Sequence, residues 1–108
     1  MSRFILAVDA NKRTIGTRQN VTTTSANYAI SGLGAIADTI RLANTATVGI
    51  YYALDDTAVT ATTNDVYLPP GAVEFVNVPD SLLGSRNIGF ICASGSTTLS
   101  ITLGTMVG

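Results

Sequence analysis

The sequence predicts an all-β protein: an antiparallel β-sandwich, jelly-roll or immunoglobulin-like in strand order, with an N-terminal arm. Three observations lead there. Apolar and polar residues alternate with a period of two in run after run, as half-buried strands require. β-Branched residues are abundant, which suits a pleated surface. Turn residues punctuate the runs at short intervals, the pattern of a sandwich or barrel.

The first expected strand, residues 3–8, is the apolar run "RFILAV". Residues 9–26, "DANKRTIGTRQNVTTTSA", are the polar outlier. With few large apolar side chains they cannot bury much surface by themselves, and they read as a loop or arm that orders against another surface. Strands follow near 27–30 and 37–43; in the latter Ile40 and Leu42 share one side and Thr39, Arg41 and Ala43 the other. A turn in "ANTAT" leads to a strand at 48–54, with Val48, Ile50, Tyr52 and Leu54 on one face and Gly49, Tyr51 and Ala53 opposite. A short strand at 66–68 runs into "LPPGA". Pro69 and Pro70 fix φ and remove two amide donors, and Gly71 admits positive φ, so this is a turn. Strands at 73–78, 86–93 and 98–103 complete the set, the last two joined through "SGS", with Ile88, Phe90, Cys92, Leu99, Ile101 and Leu103 inward. "SGLGAIADTI" could form a short helix, which Gly32 and Gly34 weaken. Pro79–Ser85 reads as a single helical turn, capped by Asp80 or Ser81 and ended by Gly84. Residues 1–20 are then the arm and 21–108 one sandwich domain, a length that suits a single core.

Charge is sparse and uneven. The chain is 46% hydrophobic but only 12% charged, against about 25% in an ordinary soluble domain. Thr, Ser, Asn and Ala therefore cover much of the surface, and little self-repulsion keeps copies apart. This favours life in an assembly, as a homo-oligomer, a trimer before a dimer. The uncharged outer face of 48–54, with Tyr51 on it, would then look at protein rather than water. Residues 1–20 set Arg3, Lys12, Arg13 and Arg18 against Asp9 alone, whereas residues 21–108 set Arg41 and Arg86 against Asp38, Asp55, Asp56, Asp65, Glu74 and Asp80. A basic segment on an acidic body points to Lys12, Arg13 and Arg18 as contacts to an acidic protein neighbour. Nucleic acid is a weaker fit, because few aromatics accompany the four basic residues and the body would repel phosphate.

Catalytic and metal chemistry find little purchase. His is absent, which removes the commonest general base and metal ligand and every Ser–His–Asp or Cys–His arrangement. Cys92 is the only cysteine; it allows no internal disulfide and reads as a small buried hydrophobe. "GLG" at 32–34 is too short for a dinucleotide fingerprint, and "SGSTT" has no Lys to serve a phosphate loop. Asp55, Asp56, Asn64 and Asp65 offer oxygen ligands of the kind Ca²⁺ takes, but their spacing matches no cation motif and reads as a solvated turn. No run approaches the roughly 20 apolar residues of a membrane span, and the start lacks a signal-peptide core. The expectation is a non-enzyme without cofactor, metal, membrane or nucleic-acid partner. Tyr51, Tyr52 and Tyr67 could line a sugar site, although Tyr51 and Tyr52 must face opposite ways and no Trp accompanies them.

The runs "TIRLANTATVGIYYALDD", "VYLPPGAVEFVNVP" and "ICASGSTTLSITLG", within residues 36–104, resemble small Thr/Ala-rich structural proteins of tailed bacteriophages. Shared features are the strand pair around "LANTATVGIYYAL", the turn Leu68-Pro69-Pro70-Gly71-Ala72-Val73-Glu74 and the closing hairpin. The resemblance implies a virion component, a capsid decoration or cement protein that binds the major capsid protein. A tail or receptor-binding, carbohydrate-binding component is the alternative.

Overall fold

A computed structural model of the chain describes residues 3–8, 11–30, 37–77 and 86–107. Among these residues there are nine strands: β1 (Arg3–Leu6), β2 (Gly16–Val21), β3 (Ala26–Ile30), β4 (Thr39–Asn44), β5 (Ile50–Asp55), β6 (Val66–Leu68), β7 (Val73–Asn77), β8 (Arg86–Ile91) and β9 (Thr97–Val107). They form two antiparallel sheets. The first runs β1–β9–β4–β7, with β2 beside β1 on the same edge of β9; the second runs β3–β8–β5–β6.

The pairings are nested: β5 with β6, β4 with β7, β3 with β8 and β2 with β9. A chain paired this way is one long hairpin rolled over on itself, and the β4–β9 and β5–β8 ladders zip the rolled halves together. That is the jelly-roll order, which the sequence left open against an immunoglobulin-like one.

The core lies between the sheets. Ile40, Leu42, Leu99, Ile101 and Leu103 of the first sheet join Ile50, Tyr52, Leu68, Ile88, Phe90 and Cys92 of the second in one buried cluster. Each takes the side its alternation predicts. Tyr52 adds a polar tie between sheets: its hydroxyl donates to Glu74 Oε1 at 2.8 Å. Burial, then the hydrogen bond to Glu74 and its negative charge, push the Tyr52 phenol well above its ordinary pKa. The folded state then binds more protons than the unfolded state above about pH 10, so this contribution to stability is complete below that pH and is lost as pH rises. Tyr52→Phe should lower the melting temperature near neutral pH by several degrees, as loss of a roughly 1 kcal/mol hydrogen bond would. The gap between parent and variant should then stay constant up to about pH 9 and narrow as pH rises from about 10 to about 12. A gap that stays constant over that range would remove the phenol from the alkaline response.

Two elements differ from expectation. The segment read as an arm is integral to the first sheet: β1 pairs with Arg3↔Val107 to Leu6↔Gly104, and β2 with Gly16↔Thr102 to Val21↔Thr97. The polar stretch 9–26 hid β2 because an edge strand covers little area and needs few apolar residues. Its inward positions are Thr17, Gln19 and Val21, and Gln19 Nε2 donates to Thr17 Oγ1. Between β1 and β2 the chain leaves the edge of β9 in an excursion closed by a Val8↔Thr14 bridge, with Lys12 at φ 62°. β9 also continues past 103, where β1 pairs with it, and a β-carbon at Gly104 would collide with the Ile5 carbonyl oxygen and the Phe4 ring. The suggested helix around Gly32 and Gly34 and the helical turn Pro79–Ser85 fall largely or wholly on residues outside those described.

Candidate functional site

Four connections gather at one end of the sandwich: β2–β3, β4–β5, β6–β7 and β8–β9. Backbone bonds lace them together, among them Cys92 N–H to Thr22 O (2.9 Å), Thr45 N–H to Thr98 O (3.2 Å) and Gly71 N–H to Asn44 O (2.9 Å). The Pro69–Ala72 turn is a type II turn: Ala72 N–H donates to Pro69 O, and Gly71 takes φ 75° at the position that demands it.

Asn44 organises this end. It continues the inward series Ile40–Leu42 and is 1% exposed. Its Nδ2 donates to Val48 O (2.7 Å) and Leu68 O (3.2 Å), while its Oδ1 accepts from Thr97 Oγ1 (2.8 Å) and Ala46 N–H (3.3 Å). All four hydrogen-bonding positions of the amide are filled. One buried side chain thus clamps the β4–β5 turn, the end of β6 and the start of β9.

Directly outside this clamp is an open cleft of about 320 Å³, lined by Val48, Tyr51, Tyr67, Pro70 and Ser94 with Thr47, Gly49 and Ala93. Three turns and two strands therefore contribute to it, and none of its lining residues is charged. The Tyr51 and Tyr67 rings meet at 5.0 Å with a 41° tilt. Tyr67 lies over Gly49, where a β-carbon would collide with the ring, so the glycine sets the position of the tyrosine. The nearby outer face of β5 and β8 is covered by the chain itself. Val59 N–H donates to Asn27 Oδ1, Ala61 N–H to Ser25 Oγ, and Asn87 Nδ2 to Asp56 O, drawing the β5–β6 loop over Gly89. Part of the uncharged face of 48–54 is accounted for in this way.

A second surface is the outer face of the first sheet. Phe4 and Phe75 reach toward each other across β9 and β4, ring centroids 5.1 Å apart. Leu6, Val73 and Phe75 remain 51%, 44% and 47% exposed. By register Arg18, opposite Ser100, and Arg41, between Phe75 and Thr102, share this face.

The structure does not bring the four expected interface residues together. Arg18 lies on the outer face of the first sheet, Lys12 and Arg13 on the excursion at its edge, and Tyr51 on the second sheet. Of the three tyrosines considered for a sugar site, Tyr52 is core, whereas Tyr51 and Tyr67 form the cleft's aromatic pair. In the acidic loop, Asp65 Oδ2 accepts from Thr62 N–H and Oγ1, and Asp55 Oδ1 from Asp56 N–H. The described residues contain no group of three or more His, Cys, Asp or Glu placed to hold a metal. Asn44 went unnoticed in the sequence, although an amide in phase with Ile40 and Leu42 was its signal. No protein-family model matches the chain, and no curated protein matches it at a significant level.

Proposed function

We propose that the protein is a structural virion component, a decoration protein that cements the head of a tailed bacteriophage by contacts with the major capsid protein and with sister copies. The observation that carries this reading is the outer face of the first sheet, where an exposed apolar row lies beside Arg18 and Arg41. Such a face suits a large, weakly acidic protein surface. Burial contributes roughly 25 cal/mol per Å² of apolar area before association costs, and many symmetric copies add avidity. The jelly roll also builds viral capsid domains, which is support by fold analogy alone. The sequence resemblance within residues 36–104 points the same way.

The test is co-sedimentation with heads assembled from the major capsid protein of the same genome. The parent protein should pellet with heads. Lys12→Ala/Arg13→Ala/Arg18→Ala should keep its β-rich circular dichroism and melting point but pellet more weakly, most visibly at low salt. Each such contact is worth about 1 kcal/mol or less and is screened. A parent protein that stays in the supernatant at every salt concentration would overturn the reading. Undiminished pelleting of the triple variant would take these three cations out of the contact.

A further inference from the structure

We propose that the cleft lined by the Tyr51–Tyr67 pair is a binding site for a neutral carbohydrate, a role separate from any contact with a capsid. Its volume, about 320 Å³, lies at the lower end of the roughly 300–1,000 Å³ of small-ligand sites. Its chemistry narrows the ligand. No lining residue is charged, so nothing in the cleft matches the charge of a phosphate, a carboxylate or an amine. The packed Tyr51–Tyr67 pair lines the cleft with aromatic surface for the weakly positive C–H bonds of a sugar ring. Thr47, Ser94 and the Tyr51 phenol supply hydroxyls that both donate and accept, as a polyhydroxylated ligand requires, while the Tyr67 hydroxyl lies against Gly49.

The strands and turns behind the cleft are tied together by the chain itself. Asn44 fixes Val48 O and Leu68 O behind its walls and ties both to Thr97 at the start of β9. Gly49 leaves the space that holds the Tyr67 ring beside Tyr51. A buried amide with every bond satisfied is an expensive way to join turns, and here it sits beneath the only described surface where two tyrosine rings pair. Preorganisation of this kind lowers the ordering cost of binding a small, well-hydrated ligand.

The experiment is an amide chemical-shift titration of the intact protein with neutral trisaccharides built from glucose, galactose and N-acetylglucosamine, and with a sialylated trisaccharide as the charged comparison. At least one neutral trisaccharide should give saturable shifts concentrated at 47–51, 67–71 and 93–94. Tyr51→Ala should weaken that binding about tenfold or more. Gly49→Ala, which leaves both rings in the chain but displaces Tyr67, should weaken it comparably, whereas Tyr67→Phe should retain most of it. The unchanged amide spectrum of each variant outside the cleft checks its fold. No saturable shift with any neutral trisaccharide, binding of the sialylated one alone, or binding indifferent to Tyr51→Ala and Gly49→Ala would each overturn the proposal. None of these results depends on capsid binding, so the two proposals fail separately.

Discussion

Replacing Asn44 with Ala should destabilise the protein by on the order of 4 kcal/mol and lower its melting temperature by tens of degrees. The side chain meets two carbonyls, a hydroxyl and an amide, and its loss strands buried partners at about 1–3 kcal/mol each. Against a total stability of about 5–15 kcal/mol this is a large fraction. Thr97→Val, which removes one of the four bonds, should cost about 1 kcal/mol. The double variant should cost less than the sum, because both changes break the same bond. Thermal unfolding followed by circular dichroism measures all three. If Asn44→Ala melts within about 5 °C of the parent, water replaces the amide and the turns are not clamped by it.

Ile50→Asp should be as severe by a different route. Ile50 is fully buried between the sheets, opposite Leu68 in the ladder. A carboxylate there has no partner and must either ionise in an apolar setting or take up a proton, at a cost of several kcal/mol. Ile50→Val, which removes one methylene, should cost only about 0.5–1.5 kcal/mol. Near-parental melting of the Asp variant would mean that β5 slips by one residue and turns position 50 outward. The β5–β8 register, Tyr52↔Phe90 and Leu54↔Ile88, makes that slip expensive, since every inward side chain would leave the core with it.

Strand existence and facing were legible wherever apolar residues alternated. Ile40, Leu42, Ile50, Phe90 and Ile101 all face the side that a period of two assigns them. β2 was not legible, because hydrogen bonding to β9 rather than burial places it, and Thr17 and Gln19 look the same in a loop. Strand order was not legible either. The local patterns of β4 and β9 are those of any half-buried strand, and nothing in them states that the two are neighbours across more than fifty residues. The cleft was legible only as isolated tyrosines. It depends on turns from three distant stretches being drawn together by an inward Asn at the end of a strand, a residue that resembles ordinary turn chemistry in "ANTAT". The last strand runs past its expected end at 103, because its extension is paired with β1, and Gly104 there leaves room for the Ile5 carbonyl and the Phe4 ring.

The position of β9 has a consequence for how the molecule is made. This strand is the common partner of β1, β2 and β4, and it is the last of the nine to be synthesised. While the ribosome is still short of it, β1 and β2 have no ladder to join and β4 has only β7 beside it. The first sheet therefore cannot zip from its beginning as the chain emerges; it must wait for its final strand and then close around it. Such long-range closure is intrinsically slow, and it leaves "RFIL" exposed as an unpaired apolar strand throughout the wait. Synthesis that stalls before residue 97 leaves a product in which β1 and β2 have lost the strand they share, together with three leucine and isoleucine side chains of the core. Such a product is a candidate for aggregation or proteolysis, not a partly working copy.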